Sequence, residues 1–145
     1  MTGKEYLEEL KRLDVFIRQR ESELKDLKET AYSVSAVNTE REKVRGGLKK
    51  SYSIIDEYID REREIKKIIE EFVDLKHKII GDIQKIKNPI YADIIYKRYV
   101  EFKSLEKIAD EMNYNYNYIR RMHGNALRDF EKSVMEKIVA VENVC

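Results

Sequence analysis

Apolar side chains recur at Tyr6, Leu10, Leu13, Ile17, Leu24, Leu27 and Ala31 in alternating steps of four and three, with Arg20 filling the remaining slot. Such steps keep residues on one side of an α-helix; a half-buried strand would need steps of two. The stripe holds for more than three heptads and is surrounded by Glu, Lys, Arg and Asp. It predicts one helix of about 28 residues, about 42 Å long at 1.5 Å per residue.

The pattern lapses at Tyr32. Ser33 to Arg45 mixes Ser, Asn, Thr and charge, and Gly46-Gly47 follows, so this stretch is expected to connect two helices and could be partly helical itself. A second stripe begins near Leu48 and Ile55 and runs through Tyr58, Ile65, Ile69, Phe72, Ile79, Ile83 and Ile86, with Glu62 and Lys76 in polar slots. It is expected to continue as one helix to Asn88, where Pro89, the only proline, disfavours helical geometry before it and suits the first position of the next helix. Two long helices joined by a short connection are expected to fold back as an antiparallel, coiled-coil-like hairpin over residues 1–88. With the first helix shorter, Ile79, Ile83 and Ile86 need cover from the C-terminal part, from another subunit, or from both.

Composition supports an all-α chain. Of 145 residues 39% are charged, and one proline and five glycines leave few breakers. The balance of 29 Lys+Arg against 28 Asp+Glu gives a net charge of +1, so nucleic-acid affinity would have to rest on local charge. A single cysteine, Cys145, excludes an intramolecular disulfide. No apolar stretch approaches a membrane span and the start lacks a secretory core, so a cytoplasmic protein with no membrane partner is expected.

Residues 89–145 read as shorter helices. Ile90, Ile94, Ile95 and Tyr99 are expected on one side of the first, which ends near Val100. Ser104 is a candidate N-cap for a helix through Met112, with Leu105, Ile108, Ala109 and Met112 facing inward. Asn113 sits where a left-handed stop is needed, and Asn115 is a second candidate cap. The next helix places Ile119, Met122, Ala126, Leu127 and Phe130 on one face, and Glu131 to Val144 is expected to stay helical. Helix, tight turn and helix at this spacing make a helix-turn-helix, so the fold class is all-α: a helical hairpin followed by a C-terminal helix-turn-helix domain.

The segment Leu105-Glu106-Lys107-Ile108-Ala109-Asp110-Glu111-Met112, followed by Ile119-Arg120-Arg121-Met122 and Ala126-Leu127, resembles the fourth region of sigma-70-type factors. Arg98-Tyr99-Val100 matches the end of the helix that precedes it in that family. The arrangement, with its helical N-terminal half, is similar to phage-encoded late-gene activators of the ArpU and RinA type. The motif covers roughly residues 90 to 130; the first 89 match only in general character. Asn113 and Asn115 stand where the family usually has a glycine-like turn residue and a Ser or Thr cap. The chain has no counterpart to the sigma region that melts the promoter −10 element. The resemblance implies a sequence-specific regulator of transcription that binds double-stranded DNA and touches RNA polymerase.

On this register the recognition helix begins at Asn115, Tyr116, Asn117, Arg120 and Arg121. Asparagine can pair with adenine and arginine with guanine in the major groove. From Asn115 to Arg128 there are three arginines and no acid. Asn117 and Arg120 are expected on bases and Tyr116 and Arg121 nearer the backbone, while Lys103, Ser104 and Lys107 could hold phosphates. Helix-turn-helix units usually act in pairs, so a homodimer is expected.

Other chemistry finds little footing. Asp74 and His77 are spaced like half of a di-iron site, but the only other histidine is His123 and no second half exists. Gly46-Gly47 lacks the lysine and strand of a phosphate loop. No cofactor, metal or catalytic set is expected, and the chain reads as a non-enzyme. Two competing readings remain: a small terminase-like DNA-packaging subunit, and a coiled-coil scaffold protein without DNA binding.

Overall fold

The computed structural model describes residues 1–40 and 45–135, with the side chains of 1–30 and 53–135. Among the described residues there is no strand. The helices are α1 (Gly3–Glu40), α2 (Arg45–Ile83), α3 (Pro89–Ile95), α4 (Leu105–Met112) and α5 (Tyr116–Phe130). α3 and α5 each run on into one turn of wider, π-type winding, at Tyr96–Val100 and Glu131–Met135. No helix among the described residues is long and apolar enough to cross a membrane.

The long helices differ from the sequence expectation at their ends. α1 spans 38 residues and α2 spans 39, so residues 33–40 are helix and Gly46-Gly47 lies within α2. A lapse in apolar period is not a helix stop: Ser, Asn and Thr each cost only a few tenths of a kcal/mol, and no proline interrupts the run. Residues 41–44, and 136–144 of the expected C-terminal helix, lie outside the described residues. α2 ends at Ile83 rather than at Asn88. Its last turn tightens, Lys85 N–H donating to Asp82 C=O at 3.1 Å and Ile86 N–H to Ile83 C=O at 3.0 Å. Asn88 then caps α3, its Oδ1 accepting from the Ile90 and Tyr91 amides at 2.9 and 3.4 Å, with Pro89 at the first position.

Contacts divide the chain into two compact units: Leu13–Glu71, and Met1–Arg12 with the chain from Phe72 onward. In the first, Leu13 of α1 and Ile65 of α2 are buried, and Glu23 Oε2 lies 3.6 Å from Arg61 Nη1. The stripe expected on α2 is only partly the packed one. Burial follows Ile54, Tyr58, Arg61, Ile65 and Ile68, whereas Ile55 and Ile69 stand exposed. Both patterns step by three and four, and the packed one lies a fraction of a turn around the helix from the other.

The second unit holds two apolar clusters. The larger gathers Tyr6, Leu7 and Leu10 of α1, Ile79 and Ile83 of α2, Ile86, Ile95, Tyr99 and Val100, and Ala126, Phe130, Val134 and Met135. Contrary to the expectation that the first helix is too short to reach them, Ile79, Ile83 and Ile86 are covered by the first turns of α1 together with the C-terminal helices, α1 being nearly as long as α2. Each such side chain contributes about 1.5–3 kcal/mol by leaving water. One polar group enters: Asp82 is buried, and Tyr6 Oη donates to its Oδ2 at 2.6 Å while Lys85 Nζ lies 3.4 Å from Oδ1. Burial first, then the Asp82 bond and charge, push the Tyr6 hydroxyl pKa upward, so it serves Asp82 as a fixed donor.

The smaller cluster is Ile94, Ile108, Ala109 and Ile119, with Ile90, Leu105, Met112, Tyr118 and Met122 against it. Ile90, Ile94, Ile95 and Tyr99 therefore do not share one side. Successive helical residues point about 100° apart, and α3 lies between two cores, so Ile94 serves one and Ile95 the other. The wide turn at Tyr96–Val100 carries Tyr99 and Val100 onto the larger core with Ile95.

Candidate nucleic-acid interface

The segment from Ser104 to Phe130 is positioned by short-range chemistry. Ser104 Oγ accepts from the Lys107 amide at 3.2 Å and opens α4. Asn113 closes it in the left-handed region, at φ 59° and ψ 40°. Asn pays less than other side-chain-bearing residues for that geometry. The Tyr114 amide donates to Ala109 C=O at 3.0 Å, and Asn115 Oδ1 accepts from the Asn117 amide at 2.8 Å and opens α5. Ile108 and Ala109 of α4 meet Ile119 of α5, all buried. Tyr114 and Tyr118 rings lie 4.8 Å apart across the turn.

α5 is sharply two-sided. Ile119, Ala126 and Phe130 are buried, and Met122 and Leu127 pack partly inward. At about 100° per residue, Asn117, Arg120, Arg121, Gly124 and Arg128 fall within roughly a 100° arc on the opposite side. These five line a shallow trough. No carboxylate lines it, and Arg128 Nη2 is held by Asn125 Oδ1 at 2.7 Å. Gly124 sits mid-trough, and a Cβ there would meet only Arg128 Nη2, at 3.7 Å. Its bare backbone lets a ligand approach the helix closely.

Of the expected contact residues, Ser104, Lys107, Asn115, Tyr116, Asn117, Arg120 and Arg121 are all exposed. Asn117, Arg120 and Arg121 come together in the trough. Ser104 and Asn115 are occupied in part as caps. Lys103 has a different setting: its ammonium lies 2.9 Å from Glu111 and 3.1 Å from Glu101, which raises its pKa, the Glu111 bond contributing most. Lys97 reaches the same Glu111 at 3.5 Å, so two cations pull that carboxyl below its usual range. Lys107 is the exposed lysine near the start of α4. Gly124 and Arg128 were not among the expected site residues, although the 4, 3, 4 spacing of residues 117, 121, 124 and 128 places them on the same face.

Behind α5, Tyr99 and His123 form a second polar contact, the tyrosine Oη 2.8 Å from His123 Nε2. Burial, then the charges of Arg98 and Lys4, lower the His123 pKa from 6.5 to about 4. The ring is therefore neutral near pH 7, with Nε2 free to accept from Tyr99, whose own pKa is pushed up to about 12 mainly by burial. A neutral buried base means that the unfolded chain binds the extra proton first. Stability is thus full above about pH 6.5 and declines as pH falls toward about 4. His123→Gln keeps an acceptor for Tyr99 but cannot titrate. Its urea midpoint should fall less steeply than that of the parent between those pH values; parallel curves would remove His123 as the cause.

Among the described residues no three His, Cys, Asp or Glu side chains gather as a metal site. No protein-family model, curated protein or solved structure matches this chain.

Proposed function

We propose that this chain is a cytoplasmic, sequence-specific regulator of transcription that binds double-stranded DNA, a non-enzyme of the phage type. In this reading α4, the turn at Asn113–Asn115 and α5 form a helix-turn-helix. α1 and α2 form an antiparallel helical arm, a pairing supported by the Tyr6–Asp82 hydrogen bond and the Glu23–Arg61 ion pair.

The observation that carries the proposal is the acid-free trough of Asn117, Arg120, Arg121, Gly124 and Arg128 on the exposed side of α5. Asn117 and Arg120, near the start of that helix, read base edges, and Tyr116, Arg121 and Arg128 lie toward the backbone. Ser104 and Lys107 at the start of α4 meet a phosphate, and Lys103 would join them by leaving its ion pairs with Glu101 and Glu111. Contact with RNA polymerase follows from the resemblance to sigma region four.

The test is DNA affinity measured across about 50 to 200 mM salt, where each neutralised phosphate contributes about 0.9 to the logarithmic slope. With Lys107, Arg121 and Arg128 on phosphates, affinity should fall roughly fortyfold over that range, with preferred sequences retained longest. Absence of binding at the lowest salt would refute the reading and favour a scaffold role.

A further inference from the structure

α2 carries a second apolar seam that, among the described residues, no helix of its own chain covers. Ile55, Ile59 and Ile69 are 40%, 41% and 37% exposed, and Val73, one turn further along the helix, is 41% exposed. They fall in steps of four and three with Glu62 and Lys66 between them, so the seam reads Ile55, Ile59, Glu62, Lys66, Ile69, Val73. At about 100° per residue this line lies roughly a quarter-turn around α2 from the inward line of Tyr58, Arg61, Ile65 and Ile68. A run of isoleucines at coiled-coil spacing is an unusual face to leave in water.

The order of residues in the seam says what fits it. Position 59 lies as far before residue 64 as position 69 lies after it. The same holds for 62 and 66, and for 55 and 73. Laid against a second copy running the other way, isoleucine meets isoleucine, Ile55 meets Val73, and each Glu62 meets a Lys66. Laid parallel, Glu62 would face Glu62 and Lys66 would face Lys66. Within one chain Lys66 Nζ already lies 3.5 Å from Glu62 Oε1, Lys66 largely and Glu62 partly exposed, so the pair can share partners across an interface.

We propose that α2 pairs through this seam with α2 of a second copy, antiparallel, about a two-fold axis passing near residue 64. Such an interface is isologous: each residue of a pair meets the other from both sides. With four apolar residues per copy, the contact belongs to the small end of specific interfaces and assembles in the micromolar range, as a concentration-dependent dimer. The proposal stands apart from the DNA reading, and its test contains no DNA.

The experiment is sedimentation equilibrium of the full chain with paired charge reversals. The parent should pass from monomer to dimer with concentration. Glu62→Lys alone and Lys66→Glu alone each create two like-charge contacts and should weaken the dimer by at least about tenfold. The same two variants mixed one to one should associate as tightly as the parent, because every crossed contact then pairs opposite charges. The double reversal in one chain should do so too. Recovery on mixing separates lost pairing from misfolding. A parent that stays monomeric at about 100 μM, well above a micromolar dissociation constant, or single reversals that dimerise like the parent, would overturn the proposal. So would a mixture that stays monomeric. A mixture far tighter than the parent would reveal a parallel pairing and equally overturn it.

Discussion

Replacing Arg120 and Arg121 together with alanine is expected to weaken specific DNA binding on the order of a hundredfold at moderate salt, and to lower the salt slope by about one. A bidentate arginine–guanine contact discriminates by about 1–3 kcal/mol, and a phosphate contact adds about 0.9 to the slope without sequence preference. The two residues should therefore separate in single variants: Arg120→Ala relaxes sequence preference, and Arg121→Ala weakens all sequences alike. Both side chains are exposed on the far side of α5 from its buried face, so the fold should keep its stability within about half a kcal/mol. Filter binding or fluorescence anisotropy against salt checks this. Unchanged affinity and slope would make the arginines a solvated face.

The largest effect on stability is expected from Phe130→Ala. Phe130 is fully buried, its ring stacked on Tyr6 with centroids 6.2 Å apart and packed with Ala126 and Val134. Gly3 closes over it so tightly that a Cβ there would come 3.0 Å from Phe130 Cδ1, and the Gly3 amide hydrogen-bonds the Glu131 carboxylate. With so many fixed neighbours the site cannot collapse, and truncation should cost about 3–5 kcal/mol. Out of a typical 5–15 kcal/mol total, that leaves a chain partly unfolded at modest temperature. Urea unfolding followed by circular dichroism measures it, and a loss under about 1 kcal/mol would show that the cluster repacks without the ring.

The all-helical character, the cap at Ser104, the left-handed turn at Asn113 and the buried face of α5 were legible in the sequence. Each rests on local chemistry: an oxygen three residues before an amide, an asparagine at a helix end, a period of three to four. The extent of α1 was not legible, because weak propensities alone do not terminate a helix. Nor was the inward line of α2, since two apolar lines of the same period lie side by side on one helix and only packing selects between them. Phe102 is the clearest case of tertiary override. It holds φ 60°, a conformation costly for an aromatic residue, while its ring packs on the larger cluster and Lys11 Nζ sits 4.6 Å from its centroid. Nothing in its residue type announces that turn. Within the trough, the arginines were visible as an acid-free run and the spacing placed Gly124 on their face, but the open space over Gly124, where a Cβ would meet only Arg128 Nη2, emerges from the packing.

The packing of Tyr6, Leu7 and Leu10 against Phe130, Val134 and Met135 also sets an order of events. Those partners are separated by nearly the whole described chain, so their contact closes a very long loop, and such closures come late in folding. The two long helices between them rest on local backbone hydrogen bonds and can form early. On the ribosome the first ten residues emerge long before their partners exist and wait with their apolar side chains exposed. Completion of this core is thus a checkpoint on synthesis: a chain stopped short of residue 130 keeps its long helices and the isoleucines of α2 beside Leu7 and Leu10, but lacks the cover of Phe130, Val134 and Met135.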